Sequence, residues 1–188
     1  MKRGLLVLLA ATMGFSTMGV AIARTLATPE VDAAGSTFAL GAVAPPTQTQ
    51  CVGEDGGPYN TVKGTWKGAA NDTSPGVGPD VPLKGTLKVT ATFTANLTTG
   101  RGVGSGKATL TKKGNTVFSG KFNMVIQILN QNNDVGGRGL LMATLINGDT
   151  LVANFEILLN GATGGITGNI DGAPSFSDFS AEWNGRTC

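Results

Sequence analysis

The longest regular pattern in the chain runs from Leu83 to Thr98, sixteen residues that alternate without an error. Odd positions from Leu83 to Leu97 are apolar or small, and even positions from Lys84 to Thr98 are all polar. A period of two puts alternate side chains on opposite faces, so the stretch predicts a β-strand with one buried and one solvated side. At about 3.3 Å per residue it would extend roughly 50 Å, far beyond an ordinary strand, so a bulge or bend is expected at Gly85 or Ala91.

The same alternation recurs on both sides of this stretch. Val62, Gly64, Trp66 and Gly68 oppose Lys63, Thr65 and Lys67; Gly104, Gly106, Ala108 and Leu110 oppose Val103, Ser105, Lys107 and Thr109. Between Val117 and Leu129, the residues Phe118, Gly120, Phe122, Met124, Ile126 and Ile128 form the apolar set. Gly139 to Leu159 predicts a hairpin, and parity selects its turn. A two-residue Asn147-Gly148 turn would mix Asn154 and Glu156 with Leu141 and Leu145, whereas a three-residue loop, Ile146 to Gly148 with Gly148 at positive φ, keeps one face wholly apolar. Short strands are also predicted over Gly164 to Asp171 and Asp178 to Cys188, the latter with Phe179, Ala181 and Trp183 inward.

Eight strands joined mostly by short turns predict an all-β fold, an antiparallel up-and-down closed β-barrel; a β-sandwich of the same strands is the alternative. An outer-membrane barrel would need aromatic girdles, and the chain has one Tyr and two Trp. Gly64-Thr65-Trp66 on the first predicted strand, with Arg186 near the end of the last, resembles the Gly-x-Trp and late-arginine pairing of calycins, the lipocalin and avidin kind of barrel. That resemblance implies a barrel in which Trp66 and Arg186 pack across the base. The Asn147 to Leu151 turn is similar to turns in allene-oxide-cyclase-like secreted barrels. Neither resemblance names a ligand.

Residues 1–23 read as a secretory signal peptide: Lys2 and Arg3, an apolar run from Leu5 to Ala11, and an Ala21-Ile22-Ala23 cleavage site. The expected location is secreted, extracellular or periplasmic, with no transmembrane segment after cleavage. Removing Lys2 and Arg3 leaves twelve basic residues against twelve acidic ones, so the mature chain is formally neutral. Residues 24–50, rich in Ala, Thr, Pro and Gln, read as a disordered leader in which Phe38-Ala39-Leu40 is able to dock, and 51–188 as a single barrel domain. Cys51 and Cys188 are expected to form a disulfide across the barrel seam, with pairing to another chain as the alternative.

The chain contains no histidine, which excludes Ser-His-Asp and Cys-His catalysis and His-ligated zinc. Glu156, Glu182, Asp171 and Asp178 remain as carboxylates, and they read as solvated surface charge, with a carboxylate-dependent enzyme built on Glu156 and Glu182 as a distant alternative. Alternating oxygens at Asn130, Asn132 and Asp134, and those of Glu54-Asp55-Gly56, weakly suggest calcium loops; the first lacks the glycine and late glutamate of such a loop and reads as an Asn-rich turn. No metal and no cofactor is expected. Asn71-Asp72-Thr73 and Asn96-Leu97-Thr98 match the glycosylation sequon.

Basic residues concentrate between positions 60 and 130, where Lys63, Lys67, Lys88, Lys107 and Lys121 share the polar faces of their strands. They predict a basic wall able to meet an anionic polysaccharide or an envelope surface, or simply a set of solubilising charges. Aromatic residues do not interleave with them, so nucleic acid is not an expected partner. Two functional readings follow. In one, a non-enzymatic structural or interaction barrel has a filled interior and forms a homo-oligomer or contacts the envelope. In the other, Trp66, Phe93, Phe122, Met124, Phe155 and Trp183 line a cavity for a small apolar or sugar ligand, with Gly64, Gly68, Gly104 and Gly106 making room.

Overall fold

The computed structural model describes residues 35–73 and 81–171. The nine strands among the described residues are β1 (Ser36–Ala42), β2 (Thr47–Val52), β3 (Pro58–Asp72), β4 (Gly85–Asn96), β5 (Arg101–Lys112), β6 (Asn115–Ile128), β7 (Val135–Leu145), β8 (Thr150–Leu159) and β9 (Ile166–Asp171). No helix occurs among the described residues. Every pairing is antiparallel; β3 to β9 follow in chain order, and β1 pairs with both β9 and β3. The sheet therefore closes into an eight-stranded barrel with β2 as an extra strand, which excludes the sandwich.

Two expectations are corrected, the first of them at the seam. The eighth barrel strand is β1, drawn from the stretch expected to be a disordered leader; the predicted strand Asp178 to Cys188 lies outside the described residues, as do 1–34. Ser36, Phe38 and Leu40 are buried while Thr37 and Ala39 are exposed, the same two-residue period as elsewhere. Beyond Ala42, Pro45 and Pro46 interrupt the strand because proline has no N–H to add to a ladder. The chain then resumes as β2 along the same edge of β3: Ala42 faces Trp66 and Thr47 faces Lys63.

The second correction concerns curvature. Strand β4 is twelve residues long and keeps one register against both neighbours, without a bulge at Gly85 or Ala91. The register shift falls between β5 and β6 at Leu110/Thr111, where Val117 is the additional residue and is buried together with Phe118. The sheet also curls at glycines. At Gly102 a β-carbon would run into the Thr94 carbonyl oxygen, and at Gly139 into that of Asn123, approaches that only a missing side chain allows.

The β7–β8 hairpin turns as parity requires. Leu145 N–H donates to Asp149 O at 2.8 Å, Gly148 sits at φ +92°, and Thr144 faces Thr150. Leu141, Ala143, Leu145, Leu151, Ala153, Phe155, Ile157 and Leu159 are consequently all buried.

Candidate functional site

The interior is built in rows that run around the barrel. In one, Val62, Phe93, Gly104, Met124, Gly139 and Phe155 face one another in sequence across β3 to β8. In the next, Gly64, Ala91, Gly106, Phe122, Leu141 and Ala153 do the same. Large and small positions alternate within the first row, the way a narrow barrel fills itself.

Five of the six proposed lining residues, Trp66, Phe93, Phe122, Met124 and Phe155, are buried in one core; Trp183 lies outside the described residues. Trp66 and Phe93 pack at 5.8 Å between ring centroids, and Phe122 and Phe155 at 4.8 Å. Phe155 also stacks on Phe38 at 5.5 Å, a partner missed while β1 was read as leader. Its signal was present in the period of Ser36, Phe38 and Leu40, masked by the weakly apolar Ala39 and Gly41 on the outer side.

The space expected beside the glycines is occupied. A methyl added at Gly104 would sit 2.6 Å from Phe93 Cδ1 and 2.9 Å from Met124 Cγ; one at Gly106 would sit 2.8 Å from Phe122 Cζ, and one at Gly64 2.7 Å from the Trp66 ring. At Gly68 it would meet the backbone of β1. These glycines seat the rings of the same core. Trp66 Nε1 donates to Gly164 O at 2.7 Å, which satisfies its polar atom; Arg186, its expected neighbour, lies outside the described residues.

The outer surface is divided by charge. On β3 to β6, Lys63, Lys67, Lys88, Lys107 and Lys121 are exposed, and the register sets Lys67 opposite Lys88 and Lys107 opposite Lys121. Hydroxyl pairs fill the positions between, with Thr65 Oγ1 and Thr90 Oγ1 at 3.1 Å. The Val43 to Pro45 kink stands beside this wall and encloses a groove of about 950 Å³. A smaller groove of about 440 Å³ lies between the outer sides of β1, β8 and β9. On β7 and β8, Leu140 and Met142 stand beside Asn154 and Val152, with Met142 51% exposed.

The polar clusters resolve into turn chemistry. Glu156 accepts a 2.7 Å contact from Arg138 Nε on the outer face, whereas Asp178 and Glu182 lie outside the described residues. Asn130 Nδ2 donates to Asp134 Oδ2 at 2.8 Å and Gly161 N–H to Asp134 Oδ1 at 2.9 Å, and these two donors, Asn130 first, hold the Asp134 carboxyl below its usual range. Asn130 Oδ1 itself accepts from Asn132 N–H at 2.9 Å, so the proposed ligand atoms are engaged in closing their own loop.

At the β2–β3 loop, Tyr59 donates its hydroxyl to Asp55 Oδ2 at 2.6 Å and Gly57 N–H donates to Asp55 Oδ1 at 2.9 Å. Asp55 is thereby held below the usual carboxylate range, chiefly by Tyr59, and the same bond pushes the Tyr59 phenol up. The two sequons differ. Asn96 is buried and its Oδ1 accepts from Thr98 and Thr99 N–H at 2.8 and 3.1 Å, whereas Asn71 is exposed.

Comparison with protein-family models, with curated proteins and with solved structures gives no match to this chain. The functional reading therefore rests on the geometry above.

Proposed function

We propose that this protein is a non-enzymatic, extracytoplasmic interaction barrel that works through its outer wall. The observation that carries the reading is the packing of the described core: Trp66 on Phe93 and Phe122 on Phe155, with rings set against Gly64, Gly104 and Gly106, the glycines that would have made room for a ligand. In this reading residues 1–23 are removed as a signal peptide, and the calycin-like barrel is a scaffold. A Cys51 to Cys188 disulfide would tie the end of the chain to β2; Cys188 lies outside the described residues. The half-apolar face of β7 and β8 around Leu140, Met142 and Val152 is the surface for contact between copies.

Native mass spectrometry of the protein purified from its secretion medium, followed by denaturing and non-reducing measurement, tests the proposal. The expected result is a chain without a retained small molecule, two mass units below the reduced mass. A stoichiometric small-molecule adduct on a monomer would reject the filled interior in favour of a ligand-binding barrel.

A further inference from the structure

The basic groove on β3, β4 and β5 combines features that a merely solubilising surface does not require. Lys67 and Lys88 face each other directly across the sheet, an arrangement that like-charge repulsion disfavours, and no acidic residue lines the groove around them. None of Lys63, Lys67 and Lys88 forms an ion pair among the described residues. Lys63 and Lys67 are four residues apart on one strand, about 13 Å at 3.3 Å per residue, so positive charge runs lengthwise along the groove. The hydroxyls of Thr65 and Thr90 lie between Lys63 and the Lys67–Lys88 pair, Thr92 and Ser105 continue the Lys63 row across β4 and β5, and the proline-stiffened Val43 to Pro45 segment forms a wall. The mature chain is formally neutral, so this concentration of charge is local and is not a consequence of net basicity.

We propose that this groove binds a linear anionic polysaccharide, its carboxylates or sulfates held by Lys63, Lys67 and Lys88 and its hydroxyls by the threonine and serine ladder. The inference rests on the reading that the outer wall is the working surface. A groove with one raised side fits an extended polymer, whereas a bilayer presents a broad plane that the Val43 to Pro45 wall would hold away from the lysines. An anion placed there also relieves the Lys67 to Lys88 repulsion, so binding is expected to raise the melting temperature.

The test is titration of the mature protein with size-defined polygalacturonate at low salt, read by calorimetry and thermal melting, beside neutral dextran and vesicles containing phosphatidylglycerol. Binding to polygalacturonate that weakens as salt is raised is expected, with at least a ten-fold loss in the double variant Lys67→Gln, Lys88→Gln. Ser105→Tyr, which fills the groove without changing charge, should lose a similar amount. Lys112→Gln with Lys113→Gln, at the β5–β6 turn, removes the same charge outside the groove and should change affinity less than three-fold. Equal binding of neutral dextran, equal loss in the turn variant, retention of affinity by Ser105→Tyr, or binding to vesicles without binding to polygalacturonate would each overturn the proposal. Native mass spectrometry of the same preparation keeps the two readings apart: a retained small molecule rejects the filled interior, whereas a bare protein that ignores polygalacturonate rejects the groove alone.

Discussion

Truncating Phe122 is the most direct probe of the filled interior. The side chain is 1% exposed, tilts against Phe155 at 4.8 Å and lies over the backbone of Gly106. A buried aromatic ring of this kind removes about 150–250 Å² from water, which at about 25 cal/mol/Å² corresponds to an upper bound of roughly 4–6 kcal/mol. Phe122→Ala also leaves a void that the closed sheet resists collapsing, and buried Phe→Ala changes generally cost about 3–5 kcal/mol. We expect that loss in urea unfolding, with a fall in melting temperature of about 6–20 °C for a domain of this size. The new void should stay dry and bind benzene, so benzene should restore part of the stability of the variant and leave the wild type unchanged. A loss below about 1.5 kcal/mol, together with benzene stabilising the wild type, would mean that the interior already holds a cavity and would refute the argument.

Gly104→Val should cost at least about 1–3 kcal/mol, because its side chain meets Phe93 and Met124; adding Phe93→Leu should recover part of the loss, and a double-mutant cycle in urea measures the coupling. Asp55 has its pKa lowered on folding, so its contribution to stability is present above the unfolded carboxylate value, near 4, and is lost as pH falls through the lower folded value. Asp55→Asn should therefore flatten part of the acid limb of stability below about pH 4, and an unchanged limb would reject the Tyr59 pairing as its cause. In a host that glycosylates, the folded secreted protein should carry a glycan at Asn71 and none at Asn96, since Asn96 is buried with its oxygen engaged by Thr98 and Thr99; Asn71→Gln should abolish the glycan mass, and a glycopeptide containing Asn96 would contradict the structure.

Strand identity, facing and the hairpin turn were legible in the chain itself, because a two-residue period depends only on which neighbours can share a buried face. The parity of Leu141 to Leu159 therefore reappears in the burial of β7 and β8, and the alternation from Leu83 reappears in β4 as far as Phe93; beyond it the expectation is corrected, since Thr94 and Asn96 are buried and Leu97 is exposed where the chain turns into β5. Lys63, Lys67 and Lys88 were likewise assignable to one polar side. The tertiary structure decided what closes the barrel and what fills it. Strand β1 reads weakly because its outward Ala39 and Gly41 are not polar, and its place is set by pairing partners at least 24 residues distant in sequence, in β3 and β9. A glycine on an inner face looks the same in a sequence whether it leaves room for a ligand or seats a ring from the next strand. Only the register that brings Gly104 between Phe93 and Met124, and Gly106 beneath Phe122, distinguishes the two, and only the kink at Pro45 and Pro46 turns a row of lysines into a groove.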